Sequence, residues 1–348
     1  MRLLRVAFLP ASVLLLAIAA FVVPLPFFLE RPGTPLGLEE RVAVEYEQVG
    51  DVTGEYLLTT VILQRATPVE LPRSLLSEAI ALVPAARFLG PGETDSAYFE
   101  RQREVFSDAA LVAAAVGLRG AGFDVPIPQG EGARVVGILP GTPAEGVLLP
   151  GDIVVATDAG PVSTTEDLRI AVFERGTEEL ELTFLREGEE RSASLTPARV
   201  TGVAEPIVGV QIETVAPDVT LPFGVEVDSG SIGGPSAGLM IAITVFDKVD
   251  PLDLAMGRRI AGTGGITPEG SVTPIGGIEQ KVLSASNEDI DLFIAPASQM
   301  VDACAGLPDG AALEVIGVET FDQAVDALSG DAQGLRCDQQ AAGGQVVS

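Results

Sequence analysis

Two stretches of this chain decide its fold: DSGSIGGPSAGLMIAITVFDKV at residues 228–249 and RRIAGTGGITPEGSVTPIGGIEQK at residues 258–281. The first stretch places a glycine-rich turn directly before an apolar run that is too long for a strand. Pro235 has the fixed φ that suits the first residue of a helix. We therefore predict a buried helix that begins at Ser236 and ends at Val249.

Ser236 is the candidate nucleophile. Gly233 and Gly234 permit a sharp turn before it, and N–H groups in the first turn of a helix have no partner within the helix. Such groups can stabilise an oxyanion, and losing one donor typically lowers a rate about 100- to 1000-fold. A turn followed by a helix also contains Gly, Pro and Ser without any catalytic role. The motif by itself leaves both interpretations open.

The composition restricts what could activate this serine. The chain has no histidine, which excludes a Ser-His-Asp triad, a Cys-His pair and an H-E-x-x-H zinc site. Lys248 and Lys281 are its only lysines, and neither stands in a G-K-[ST] phosphate loop. The base must be a lysine, a carboxylate or the chain's amino terminus. We predict no metal, no cofactor and no ATP-driven chemistry of the P-loop type.

Lys281 is the candidate base. It follows a Gly-Gly turn at the start of a predicted helix and borders an apolar face formed by Ile278, Val282 and Ala285. A general base at neutral pH requires burial to lower the lysine pKa from about 10.4 to about 7–8. A lone lysine is more often a solvated charge, and a net charge of −28 favours its protonated form.

Residues 231–295 resemble the proteolytic domain of the Lon family of serine proteases. GGPSAG is similar to the family's nucleophile motif and places the serine at Ser236. The run AGTGGITPEGSVTPIGGIEQK is similar to the segment that ends at the family's lysine, here Lys281. The resemblance implies that these two residues form a catalytic dyad. Because Lon-like domains commonly assemble in rings, it also implies a homo-oligomer.

The resemblance extends to the surroundings of the dyad. It implies that Thr263 lies beside the dyad, and that Gly234 and Pro235 support the oxyanion region. Gly233 stands where the family typically has an acidic residue, and Gly265 stands at the acidic position of a Thr-Gly-Glu motif. We expect both departures to change the polar shell, and with it the substrate preference and the pH dependence.

The amino-terminal segment is predicted to anchor the protein. Residues 6–29 carry no charge, and this stretch is long enough for a transmembrane span of about 20 residues. A signal peptide cleaved after Ala17-Ile18-Ala19 is the alternative. Both interpretations place the rest of the chain outside the cytoplasm, in the first case as a single-pass protein of the cell membrane. We assign residues 1–29 to the anchor or signal and residues 30–40 to a linker.

Residues 120–200 form a second predicted unit. PGTPA at residues 140–144, followed by LPGDIV at residues 149–154, resembles a PDZ domain of the bacterial kind. Ser163 and Glu166 are predicted to form a capping box at the start of its helix. A small β module used only for packing is the alternative interpretation.

The PDZ resemblance implies a peptide-binding groove, since PDZ domains bind extended peptides by adding a strand to an exposed sheet edge. The groove would lie between a strand at residues 122–127 and a helix at residues 164–174. Its carboxylate-binding loop would contain Gly120, Gly122 and Phe123.

The predicted fold class is α+β: a Lon-type proteolytic domain with an inserted PDZ-like β domain and an N-terminal transmembrane helix. Residues 41–119 form the N-terminal part of the protease region and residues 201–337 the proteolytic domain, followed by a disordered tail at residues 338–348. The only cysteines, Cys304 and Cys337, are expected to form a disulfide outside the cytoplasm.

Three functions are consistent with this organisation. The first is an ATP-independent serine endopeptidase that cleaves extracytoplasmic proteins or peptides. The second is a catalytically silent PDZ-based scaffold that binds peptides at the membrane, and the third is self-cleavage that releases the outer domain. A nucleic-acid partner is not expected, because a net charge of −28 repels the phosphate backbone.

Overall fold

The computed structural model describes residues 20–47, 52–77, 79–89, 93–127, 130–199, 206–215, 219–330 and 335–337. The strands are β1 (Phe27–Pro32), β2 (Leu36–Gly37), β3 (Val42–Val44), β4 (Glu55–Leu58), β5 (Val61–Arg65), β6 (Ala81–Pro84), β7 (Ala133–Ile138), β8 (Ile153–Thr157), β9 (Gly160–Pro161), β10 (Leu180–Arg186), β11 (Glu189–Leu195), β12 (Val210–Thr214), β13 (Val225–Val227), β14 (Arg259–Gly262), β15 (Gly265–Ile266), β16 (Val272–Thr273), β17 (Leu292–Pro296), β18 (Glu314–Val318) and β19 (Leu335–Arg336). The helices are α1 (Leu71–Leu76), α2 (Asp95–Gly120), α3 (Thr165–Arg175), α4 (Gly238–Val249), α5 (Ile278–Ser286), α6 (Met300–Ala305) and α7 (Phe321–Ser329). The predicted tail at residues 338–348 and most of the predicted anchor lie outside these ranges.

A six-stranded sheet with the order β19-β18-β17-β14-β4-β2 forms the centre of the larger unit. Strands β4, β14, β17 and β18 run parallel to one another, and β2 and β19 are antiparallel to their neighbours. Parallel strands that are covered on both faces consist of nearly continuous apolar runs. Strand β17 shows this pattern, since all of its residues are buried.

Helices cover both faces of the central sheet. Helices α2, α4 and α7 pack on the face to which Tyr56 and Ile260 point. Helices α5 and α6 pack on the opposite face, against Leu57 and Ala261, because consecutive residues of a strand point to opposite sides. The sheet therefore separates α4 from α5, and side chains of these two helices can meet only beyond the end of a strand.

Strand β1 changes the predicted limits of the anchor and the linker. It begins at Phe27, within the segment assigned to the anchor, and continues through the start of the predicted linker. It pairs antiparallel with β5 and β6 and contacts α5. Its apolar residues Phe28 and Leu29 are buried in the folded unit, so the boundary at residue 29 was wrong. In the parts of the chain that the structure covers, no helix is long and apolar enough to cross a membrane.

The smaller unit contains a sheet of order β11-β10-β8-β7-β12, with β9 paired to β8. Strand β12 pairs antiparallel with β7, so this unit extends beyond the predicted boundary at residue 200. Its helix α3 has a capping box formed by Thr164 and Asp167, one residue later than the predicted pair. The Asp167 carboxylate accepts from the Thr164 N–H at 2.8 Å.

The predicted strand at residues 122–127 does not form. Phe123, Val125 and Ile127 alternate as in a strand, but they pack on the core of the larger unit. The ring of Phe123 lies 5.3 Å from the rings of both Tyr46 and Phe223. The strand was expected from the position of the groove in a PDZ domain, and the sequence does not correct that expectation because an irregular segment with every second side chain buried has the same pattern as a strand.

The two cysteines are close together near the carboxyl end. Cys304 in α6 and Cys337, which follows β19, form a disulfide with a Cα–Cα distance of 5.5 Å. The bridge joins the edge of the central sheet to a helix on its face.

Candidate active site

A sharp turn brings Ser236 to the end of the central sheet. Gly234 has a φ of +83°, which favours glycine, and its N–H donates to the carbonyl of Gln102 in α2 at 2.7 Å. Residues Pro235–Ala237 then form a single 3₁₀ turn, and α4 begins only at Gly238. The α-helix therefore starts two residues later than predicted, and Ser236 lies in the tighter 3₁₀ turn that precedes it.

Ser236 and Lys281 meet beyond the carboxyl end of β14. Lys281, in α5, places its Nζ 2.8 Å from Ser236 Oγ. The same Nζ lies 2.9 Å from Oγ1 of Thr263, the first residue after β14. Polar side chains from the two faces of the sheet thus converge at a strand end, which is where ligand sites form in open parallel sheets.

Thr263 fixes the orientation of this pair. Its hydroxyl donates a hydrogen bond to the backbone carbonyl of Ser236 at 3.0 Å. Its oxygen therefore accepts the hydrogen bond from Lys281 Nζ. The N–H of Gly264 donates to the same carbonyl at 2.9 Å. Thr263 is fully buried, so no water competes for these bonds. The loop after β14 holds the serine and the lysine in one geometry.

Burial sets the electrostatics of Lys281. The residue is 3% exposed, and burial lowers the pKa of its ammonium to about 7. The charge of Glu30, on β1, acts in the opposite direction and raises that pKa. The pKa of Glu30 is itself raised by burial, against the lowering effect of Arg87 and Lys281. Near neutral pH a substantial fraction of Lys281 is thus a neutral amine that can accept a proton.

The remaining residues predicted around the site shape the turn. Gly234 already uses its N–H for Gln102, and Pro235 has no N–H to donate. Neither residue supplies an oxyanion donor of its own. Both departures from the Lon pattern lie in crowded places: a methyl group on Gly233 would lie 2.8 Å from Cβ of Gln102, and one on Gly265 would lie 2.2 Å from Oγ1 of Thr273.

Sequence reasoning missed two residues that act on the site. Gln102 binds the nucleophile turn through its backbone carbonyl, and any residue type offers that group. Glu30 stands in a segment that was assigned to a linker, and its effect on Lys281 depends on the pairing of β1 with distant strands. No local signal in the sequence identifies either residue.

The predicted peptide-binding residues do not come together as a groove. Gly120 is the last residue of α2, and Phe123 packs in the core of the larger unit. Strand β12 lies beside α3 instead, where the N–H of Thr165 donates to Oγ1 of Thr214 at 3.1 Å. Strand β12 is the terminal strand of its sheet, with β7 as its neighbour. The assignment of Gly120, Gly122 and Phe123 to a carboxylate-binding loop was wrong.

Comparison with solved structures found PDZ domains of other proteins. The PDZ domain of an SdrC-like protein from Listeria monocytogenes is 14% identical, covers 24% of this chain and 87% of its own, and has a TM-score of 0.22. A score this low does not establish a shared fold.

Comparison with known sequences concerns the larger unit. Lon protease 2 of Borreliella burgdorferi is 44% identical over 73 residues, which is 20% of this chain and 8% of that protein. Lon protease of Azorhizobium caulinodans is 34% identical over 117 residues, 33% of this chain and 13% of that protein. The chain thus spans a small part of these relatives. Residues 219–329, which contain Ser236, Thr263 and Lys281, match the profile of the Lon protease (S16) C-terminal proteolytic domain.

Proposed function

We propose that this protein is an ATP-independent serine endopeptidase that uses a Ser236–Lys281 dyad. The observation that carries the proposal is the 2.8 Å distance between Lys281 Nζ and Ser236 Oγ, in a site where burial lowers the pKa of the lysine to about 7. A buried amine with that pKa suits general-base catalysis at neutral pH. The Ser-Lys pair is an established variant of the activated serine.

The reaction follows from these positions. Neutral Lys281 accepts the proton of Ser236 as Oγ bonds to the substrate carbonyl carbon, and backbone N–H groups of the turn stabilise the oxyanion. The C–N bond then breaks, and the ammonium returns the proton to the leaving amine. Water attacks the acyl-serine ester and gives its proton to Lys281, which passes it back to Ser236 Oγ. The free acid and the free enzyme result.

We assign peptide capture to the smaller, PDZ-like unit. Strand β12 at the end of its sheet offers backbone groups to which an extended peptide can add as a further strand. Helix α3 lies beside this strand and carries the exposed apolar side chains of Ile170 and Phe173. The corrected groove thus lies between β12 and α3, and its ligand is an extended segment of a protein substrate.

The uncharged amino-terminal stretch supports a location at the membrane. Residues 6–29 contain no charged side chain, and the proposal places the enzyme in the cell membrane with both folded units outside the cytoplasm. A homo-oligomeric ring is part of the same proposal, by analogy with Lon-like domains.

The test is cleavage of an unfolded protein without ATP by the full-length chain in detergent, alongside Ser236→Ala. The full chain is needed because β1, which lies before residue 41, contacts α5. Cleavage by the wild type alone, with covalent labelling of Ser236 by a serine-reactive probe, supports the proposal. Equal cleavage by both proteins would assign the activity to a contaminant. A folded wild type that neither cleaves nor reacts with the probe would favour the silent scaffold.

A further inference from the structure

An apolar surface lies where the chain enters the larger unit. It is formed by Phe21, Val22, Val23, Val69 and Leu76, which we call the entry surface. All five side chains are exposed, and Leu76, at the end of α1, is 89% exposed. The N–H of Val69 donates to the carbonyl of Ala20 at 3.1 Å, which places residues 20–23 beside the turn that leads into α1 and its last residue, Leu76.

The entry surface continues an uncharged stretch of sequence. Single exposed apolar side chains are ordinary on soluble proteins, but a cluster of them marks an interaction site or a membrane contact. No charged residue occurs between Val6 and Leu29, and the described part of that stretch begins at Ala20, directly before Phe21. The residues that precede the cluster are apolar enough to enter lipid. Lipid therefore also fits the chemistry of the exposed side chains of the cluster.

The distance between the uncharged stretch and the folded unit is short. The segment predicted to be a free linker is taken up by β1 and β2, and β1 begins at Phe27, directly after Val23 and the Pro24–Pro26 segment. The N–H of Leu25 donates to the carbonyl of Ala66 at 2.8 Å, so even this segment is fixed to the fold. No flexible tether separates the entry surface from the catalytic unit.

We infer that the entry surface rests on a lipid bilayer and holds the catalytic unit against the membrane. The inference depends on the proposed anchoring and adds to it an orientation. Ser284, one turn after Lys281, donates its hydroxyl to the carbonyl of Gly33. Val23 and Gly33 are about ten residues apart, which is at most roughly 35 Å of extended chain. The dyad thus acts close to the membrane surface, on substrate segments that lie near the bilayer.

Spin labels in phosphatidylcholine vesicles containing the full-length protein test this orientation. The native cysteines form a disulfide, so a cysteine introduced by Leu76→Cys or Phe21→Cys is the free thiol that takes the label. Leu252→Cys is the matched control, because Leu252 is 53% exposed and apolar but follows α4, near the amino-terminal ends of β4 and β14. Thermal unfolding of each labelled protein confirms that it is folded.

The measurement is the collision rate of each label with oxygen, which concentrates in lipid, relative to a water-soluble nickel chelate. We expect a several-fold higher ratio at positions 76 and 21 than at position 252. Equal ratios in protein that floats with the vesicles would overturn the inference and leave the anchoring intact. Low rates with both reagents would mean that protein, not lipid, covers the surface, and would also overturn it. Protein that does not float with the vesicles would refute both the orientation and the proposed anchoring. Cleavage that depends on Ser236 is measured separately and would not be affected by that outcome.

Discussion

The two lysines of this chain show how one residue type serves two purposes. Lys281 is buried and Lys248 is half-buried, and for each of them burial lowers the pKa of the amine. Lys248, in α4, donates to the backbone carbonyls of Glu39, at 2.9 Å, and Val42. Lys281 has the side-chain hydroxyls of Ser236 and Thr263 as its partners.

The partners decide what each amine can do. A carbonyl oxygen only accepts hydrogen bonds, so Lys248 can only donate to it and serves to hold Glu39 and the first residue of β3 against α4. A hydroxyl both donates and accepts, so a neutral Lys281 can take the proton of Ser236. Burial alone would have suggested both lysines as bases. The proton-bearing partner distinguishes the catalytic candidate from the structural one.

The largest expected effect separates the two lysines directly. Lys281→Met should lower kcat/KM for an unfolded protein substrate about 10⁴-fold or more, because removing one member of a catalytic pair removes the contribution of the whole pair. Lys248→Met should keep the activity and lower the free energy of unfolding by about 1–3 kcal/mol, since two carbonyls lose their donor. Protease assays and urea unfolding of both variants provide the comparison. Similar losses of activity in two folded variants would remove the distinction between the lysines.

The pH dependence sharpens the comparison further. Only the neutral form of Lys281 can act as a base, so kcat/KM should rise with pH, by about tenfold per unit below the pKa, and level off above it. Because burial lowers that pKa to about 7, the midpoint should lie near pH 7. Glu30→Gln removes a charge that raises the pKa of Lys281 and should move the midpoint to lower pH. A rate that is flat from pH 5 to 9 in the wild type would contradict a lysine base.

The third effect concerns the hydroxyl of Thr263, which is a partner of Lys281, whereas Lys248 bonds to backbone carbonyls. Thr263→Val removes the bond to the Ser236 carbonyl and the acceptor for Lys281, and we expect a loss in kcat of about 10- to 100-fold from misplacement of the dyad. Thr263→Ser keeps the hydroxyl and is the matched control, with most of the activity retained. KM should change little in either variant. Equal losses for valine and serine would assign Thr263 a packing role only.

The site was predictable from sequence where its chemistry is local. The turn before Ser236 and the glycine pair before Lys281 are contained in short motifs, and their resemblance to one family predicted that the two residues meet. The structure adds that Thr263, at the end of β14, connects them. The start of α4 was misplaced by two residues, because a single 3₁₀ turn of three residues is too short for its apolar pattern to differ from that of an α-helix.

The parts that could not be predicted depend on pairing between distant segments. Residues 27–29, which begin β1, are as apolar as a membrane span, and only pairing with β5 and β6 identifies them as part of a strand. Strand β12 lies close in sequence to the proteolytic region but pairs with β7. Periodicity indicates which face of a segment is buried and does not indicate the partner that buries it.

The smallest effect is on stability, and its sign follows from the two pKa values of Lys281. The pKa is about 7 in the folded protein and about 10.4 in an unfolded chain, so the unfolded state binds more protons between these values and stability rises with pH across that window. The cost of burying the charged amine is therefore fully present below pH 7 and disappears as the pH approaches 10.

Lys281→Met removes this cost together with the hydrogen bonds to Ser236 and Thr263. In a Ser236→Ala background, which prevents self-digestion, we expect Lys281→Met to raise Tm by about 2–4 °C at pH 6 and by less at pH 9.5. Calorimetry at the two pH values measures the difference. Lys248→Met should not gain stability at either pH, because its amine holds two carbonyls that methionine cannot satisfy. A gain from Lys281→Met that is the same at both pH values would show that the pKa of Lys281 is not lowered by folding.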